Sequence, residues 1–526
     1  MNIRRTFIKS TRATLALFLT GIIVSGGSTA ALAVDYVPIS GAGSSWSANA
    51  IDQWRRNVKQ YGMSVNYAST GSVDGRNQFK GGTVDYGVSE TPYGLTDNGV
   101  LDELPARPFV YVPIVAGGTS FMYNITSGGN PITNLRLSGD VVTKMFTGVI
   151  TKWNDPLIAA DNPGLTLPDR AVVPVVRSDG SGSTAQFTLW MATKYKSLWD
   201  SYCAKVGRNE CGQTSFFPTT AGMVAQPNSQ GVSGYVAQKA NEGTITYVEY
   251  SYALKTGFPV AKILNDAGYY VEPTASNVAV GLLGAKINQD KTSKMYLTQE
   301  LGGVYNNKDA RAYPLSSYSY MIVPTTEQSA FTTAKGATLS AFANYFLCEG
   351  QQQAEVLGYS PLPVNLVKVG LEQVAKIPGA DPSTINIAKC NNPTFSASGE
   401  NTLAKNAPMP DPCDKKGAEQ CTAGTGGAAA TSTGGVVGET TGTDTTGATG
   451  TGTTGGMLGG TMGTGPTQCD ADTGTCSNIK AVPVATTSLG WAATNWIILS
   501  VIIVLVLVVV VPPVLVTYAA RKVRSS

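Results

Sequence analysis

Four Gly- and Ser-rich segments carry the residues that could do chemistry in this chain. The first is Ser40-Gly41-Ala42-Gly43-Ser44-Ser45-Trp46, just ahead of a helical pattern that opens at Ala48. The second is Ser69-Thr70-Gly71-Ser72-Val73-Asp74-Gly75, and the third Val84-Asp85-Tyr86-Gly87-Val88-Ser89-Glu90. The fourth is Val176-Arg177-Ser178-Asp179-Gly180-Ser181-Gly182-Ser183-Thr184, ahead of a second helical pattern at Ala185. The chemistry they suit is the holding of an anion. A helix N-terminus presents unpaired N–H groups and the positive end of the helix dipole. Glycine lets the backbone come close, serine hydroxyls add donors, and Arg177 adds one forked, permanently charged donor. Such a terminus holds phosphate or sulfate. Any one of these segments alone reads as ordinary helix capping. None has the G-x-x-x-x-G-K pattern of a P-loop.

Covalent and metal chemistry have less to work with. The chain has no histidine, which removes Ser-His-Asp and Cys-His catalysis and any His metal ligand. Serine–lysine or paired-carboxylate chemistry stays open. Charged residues are 14% of the chain and the net charge is +3, so there is no nucleic-acid footprint. Binding without a cofactor or metal is the expectation. The eight cysteines are Cys203, Cys211, Cys348, Cys390, Cys413, Cys421, Cys469 and Cys476. An even count in an exported chain points to disulfides. Nearest-neighbour pairing is the simplest connectivity, but spacing alone does not choose it. A zinc site is the rival, weakened by the lack of His and of any C-x-x-C pair.

The elements that must position these segments alternate in type. Short apolar runs at 64–68, 109–115, 171–176, 244–248 and 319–324 read as strands. Helical spacing puts Ile51, Trp54 and Val58 on one face of 48–59, and Phe187, Trp190 and Met191 together in 184–195. This alternation predicts an α/β body with doubly wound sheets.

The two ends carry targeting signals. Residues 1–33 read as a signal peptide, with Arg4, Arg5, Lys9 and Arg12 before an apolar run and Ala31-Leu32-Ala33 at its end. Both a general secretory and a twin-arginine signal fit. Residues 391–495 read as a Gly/Thr-rich extracellular linker with cysteine loops, nearly all Gly, Thr and Ala over 422–467. Residues 496–518 are uncharged and rich in Val, Ile and Leu, long enough to cross about 30 Å of hydrocarbon as a helix, though Pro512 and Pro513 would kink it. Arg521, Lys522 and Arg524 in a basic tail, 519–526, predict that this end is cytoplasmic and the body lies at the cell surface.

Together the segments resemble the phosphate-binding proteins of bacterial phosphate ABC importers. The resemblance runs over 39–378. Besides the four segments it rests on Val65-Asn66-Tyr67, on Phe146-Thr147-Gly148-Val149-Ile150-Thr151-Lys152-Trp153, on Asn162-Pro163-Gly164-Leu165 and on Tyr247-Val248-Glu249-Tyr250. It implies a two-lobed periplasmic-binding-protein (type II) fold. Lobe I would be 34–118 and 309–390, lobe II 119–308, with hinge closure on a ligand in the cleft. It implies that inorganic phosphate is held by Ser45, Trp46, Ser72, Glu90, Arg177, Ser181, Gly182 and Ser183, with Asp179 as the carboxylate beside Arg177. It implies no catalysis, and ABC transporter permease subunits as partners.

Three positions depart from that family's pattern. Ser183 stands for Thr, and Trp46 for Phe. Glu90 stands where the family has Asp, the carboxylate that accepts a hydrogen bond from a protonated phosphate oxygen and leaves sulfate unpaired. Glutamate keeps that chemistry with a longer reach, and a surface Glu at a strand end is the bland alternative. A rival function is a surface adhesin or structural protein on the same fold with lost or altered anion binding. A phosphatase on this scaffold is a third reading, disfavoured by the missing histidine.

Overall fold

The computed structural model describes residues 36–428, except 209, 210, 291, 294, 329, 397 and 398, together with the backbone of Gln468–Cys469 and Cys476–Ser477. The body is built on an eight-stranded sheet. Its elements in chain order begin with β1 (Ile39–Gly43), α1 (Ala48–Asn57), β2 (Val65–Ser69), α2 (Ser72–Lys80), β3 (Tyr86–Ser89) and β4 (Phe109–Asn124). Then come β5 (Val173–Arg177), α3 (Gly182–Lys194), β6 (Val224–Gln226), α4 (Asn228–Val236), β7 (Thr244–Glu249) and α5 (Tyr250–Thr256). Last in the sheet region are α6 (Ala275–Leu282), β8 (Ser316–Pro324) and α7 (Thr333–Leu347). The strand order is β6-β5-β7-β4-β8-β3-β1-β2.

β1 runs parallel between β2 and β3, and β5 runs parallel between β6 and β7. The helices α1, α2, α3 and α4 each follow one of these strands, which is the α/β alternation expected. α1 shows why its residues form the element they do. Ile51 and Trp54 fall on one face and are fully buried. Trp54 stacks on Phe346 of α7 with ring centroids 5.5 Å apart and donates from its indole N–H to the Gly350 carbonyl at 2.8 Å. A single 3₁₀ turn, Val58–Tyr61, then ends the segment at Gly62, whose φ of 81° is left-handed.

β4 holds the two halves of the sheet together. From Phe109 to Gly118 it pairs antiparallel with β8, and from Thr119 to Asn124 with β7. The strand therefore joins the two halves of the sheet: β8, β3, β1 and β2 lie on one side of it, and β7, β5 and β6 on the other. It is longer than the 109–115 expected from sequence. The run Gly117-Gly118-Thr119-Ser120 breaks the apolar pattern, yet Thr119 and Ser120 are buried between β8 and β7, and Ser120 donates to the Val248 carbonyl at 2.8 Å.

Of the linker expected over 391–495, residues 391–396 and 399–428 lie packed along the body. Asn392 and Thr394 donate to the Leu362 carbonyl of lobe I. A short helix, α8 (Thr402–Lys405), places Ala404 and Ala407 in a small core with Ala279 and Val280 of α6. The loop closed by Cys413–Cys421 then docks on the body where buried Arg136 donates to the Cys413 carbonyl at 2.8 Å and Lys262 pairs with Asp414 at 2.7 Å. Thr425 finally exchanges bonds with Val260. The segment is a strap running from Leu362 to Arg136 and Val260. Ending the chain after Cys390 would leave the Arg136 guanidinium, 1% exposed, short of acceptors. We expect thermal unfolding of that truncated chain to begin several degrees below the full-length protein, read by calorimetry.

Disulfides join Cys203 to Cys211, Cys348 to Cys390 and Cys413 to Cys421, the nearest-neighbour pattern. In the C-terminal unit, Gln468–Cys469 and Cys476–Ser477 form one antiparallel backbone pair with Cys469 opposite Cys476, but their side chains fall outside the described residues. So do the expected signal peptide, the apolar run 496–518 and the basic tail. Among the described residues no helix is long and apolar enough to cross a membrane.

Candidate functional site

Ligands in open α/β sheets lie beyond the carboxyl ends of parallel strands. Here those ends deliver polar residues from both halves of the sheet to one place. β1 ends in Ser44, Ser45 and Trp46, β2 leads to Ser72, β3 leads to Glu90, β5 ends at Arg177, and β6 leads to Ser229. Gly71 makes the turn into α2 with φ of 99°, and a Cβ there would lie 2.5 Å from an Asp179 carboxylate oxygen. Backbone conformation and space both reserve that position for glycine.

Glu90 is the centre of the first cluster. It is 1% exposed, so the alternative of a surface Glu at a strand end does not hold. Its Oε1 accepts hydroxyl bonds from Ser44 at 2.5 Å and Ser319 at 2.8 Å, and its Oε2 accepts one from Ser72 at 2.7 Å. Ser72 in turn accepts the N–H of Gly182, the first residue of α3, at 3.0 Å. The Glu90 carbonyl accepts from Gln186 of α3 at 2.9 Å. The longer side chain reaches across the cleft: a Cβ on Gly182 would sit 2.0 Å from Glu90 Oε2.

Arg177 is the centre of the second. Its side chain is 2% exposed, and its Nε and Nη2 edge forms a forked pair with Asp179. Asp179 also accepts the N–H of Asn228 at the start of α4, at 2.9 Å. The Arg177 donors that remain are on its Nη1 side, where Ser229 Oγ lies 3.4 Å away. Ser229 exchanges bonds with Ser45: the hydroxyls are 2.9 Å apart, and Ser229 N–H donates to Ser45 Oγ at 3.0 Å. The backbone N–H of Arg177 donates to the Tyr247 hydroxyl at 3.2 Å. Burial pushes the Tyr247 phenol up to about 12, with Thr184 and that N–H pulling the other way. Glu249, at the end of β7, accepts from Ser251 N–H at 2.8 Å, and burial pushes its carboxyl well above the usual range.

The other expected residues fall close by, with their bonds placed as follows. Trp46 spends its backbone N–H on Ser44 Oγ at 3.0 Å, and its ring meets Tyr359 edge-on at 5.7 Å. Ser181 caps α3, accepting from Thr184 N–H at 3.2 Å, which leaves its own O–H to donate. Ser183 is 1% exposed, and its hydroxyl has no hydrogen-bond partner among the described residues. Sequence reasoning missed Ser44, Ser229 and Ser319. Ser44 was one residue from a candidate. Ser319 sat inside a strand pattern with nothing to distinguish its hydroxyl from that of its neighbour Ser317.

Residues 25–349 match the PBP superfamily domain. Phosphate-binding protein PstS of Xylella fastidiosa (strain Temecula1) is 35% identical over 336 residues, covering 63% of this chain and 83% of that protein. PstS of Pasteurella multocida is 31% identical over 364 residues, covering 68% of this chain and 96% of its own. A solved phosphate-binding protein from Stenotrophomonas maltophilia superposes with a TM-score of 0.49 at 17% identity, over 66% of this chain and 98% of that one. The chain belongs to the PBP superfamily and, within it, to the PstS family of phosphate-binding proteins.

Proposed function

We propose that this chain is a membrane-anchored, extracellular receptor that captures inorganic phosphate in the cleft between its lobes and delivers it to the permease of an ABC importer. The observation that carries the reading is the convergence of Arg177, the α3 N-terminus and Glu90 from opposite lobes on one buried polar site. Arg177 and the N-termini of α2 and α3 supply positive charge and donors. Glu90 supplies one buried acceptor, which favours an oxyanion that still carries a proton. The unpartnered hydroxyl of Ser183 and the free O–H of Ser181 are donors left for ligand oxygens. Ser45 and Ser229, hydrogen-bonded to each other, would tie the two lobes together across the cleft. The lobes divide between Gly118 and Thr119, where β4 changes partner, and again before β8. The run 496–518 would hold the receptor at the cell surface, and its basic tail would face the cytoplasm.

Calorimetric titration of the full-length protein at pH 7 tests the reading. Phosphate should bind tightly and sulfate should give no heat. Sulfate binding of equal strength would move the protein to another anion, and no binding of either would favour an adhesin or structural role.

A further inference from the structure

The bonds around Glu90 leave little freedom. Ser44 accepts the Trp46 N–H, so its own proton goes to Glu90. Ser72 accepts the Gly182 N–H, so its proton goes to Glu90 as well. Ser319, fully buried in β8, gives the third. A carboxylate offers about four acceptor positions. Two are filled on Oε1 and one on Oε2, which leaves one, on the oxygen next to Gly182. Ser44, Ser72, Ser319 and Glu90 all fall within lobe I, so none of the three bonds needs a donor from lobe II. The carboxylate is therefore aimed before the lobes meet, and closure loses less freedom.

We propose that Ser44 and Ser319 are positioning residues for Glu90: by filling Oε1 they turn a single acceptor position toward the cleft, so that the site takes one ligand hydroxyl. The inference rests on the phosphate reading above and deepens it. Hydrogen phosphate and hydrogen arsenate meet the condition at neutral pH. Sulfate, phosphite dianion and phosphomonoester dianions carry no O–H there and leave the acceptor unpaired.

The test is calorimetry on the full-length protein and on Ser44→Ala, Ser319→Ala, Glu90→Gln and the Ser44→Ala/Glu90→Gln double variant, with phosphate and with sulfate as competitor. Each serine variant should weaken phosphate about tenfold. The phosphate-to-sulfate ratio should narrow by the same factor, because sulfate never used that acceptor. In the Glu90→Gln background, Ser44→Ala should change nothing further, since its effect passes through the carboxylate. Thermal unfolding checks folding, and Ser319→Cys, similar in shape but a weak donor, stands in if Ser319→Ala does not fold. Serine variants that keep the wild-type ratio, or losses that add to that of Glu90→Gln, overturn the assignment while the phosphate reading stands. A wild-type protein that binds no phosphate overturns both.

Discussion

Replacing Arg177 with alanine should weaken phosphate binding by at least roughly a hundredfold. The guanidinium is buried, and one edge of it is committed to Asp179. Its removal takes away a charged donor facing the cleft and leaves the Asp179 carboxylate beside the ligand with only the Asn228 N–H described above. The variant changes the sign of the local charge as well as the number of donors. Arg177→Lys should recover little of the loss, because an ammonium cannot hold Asp179 by a fork and also reach an anion. Titration with phosphate reads both variants. Near-wild-type affinity in Arg177→Ala would place the anion elsewhere.

Gly182→Ala should be as damaging for a different reason. The added Cβ would lie 2.0 Å from Glu90 Oε2, 2.7 Å from Ser72 Oγ and 2.9 Å from Glu90 Cβ. The carboxylate cannot swing aside without giving up hydroxyl bonds, and Glu90 Cβ is fixed by the end of β3. Lobe II would stop short of lobe I. Phosphate affinity should fall by about a hundredfold or more, since 2–3 kcal/mol of overpacking and lost contacts are concentrated at the point of closure. Small-angle scattering at saturating phosphate should show the variant more extended than the wild type. A compact, tightly binding variant would mean that Glu90 leaves the cleft on closure.

The parts of this molecule that could be read from sequence are those whose partners are near in the chain. The turn from β5 through Arg177, Asp179 and Ser181 into α3 is a local device, and its Gly/Ser spacing declared it. Both helical faces read from periodicity, around Trp54 and Phe187, are buried as expected. The environment of Glu90 was not legible. Its donors lie 46, 18 and 229 residues away, and a serine hydroxyl carries no mark of where it points. The strap was hidden for a related reason. Residues 391–428 have no periodic apolar face, and much of what holds them is backbone carbonyls that accept from Arg136 and Asn134, which composition cannot display. The crossover in β4 failed as an apolar run because its small and polar residues are buried by strand pairing rather than by side-chain bulk.

The strap also decides how the molecule would bear force. The chain leaves the described body beside lobe II, where Thr425 is bonded to Thr133 and Val260, and Gly426 N–H donates to Glu272 at 2.7 Å. A pull on the residues beyond Ala428 would be taken first by these bonds and then by the Cys413–Cys421 loop. Val260 is itself bridged to Met122 of β4, and Tyr123 N–H donates to the Pro259 carbonyl, so the load passes from the strap into β4. The strap's few hydrogen bonds would yield first, and its peeling would spend the pull before β4 took it up.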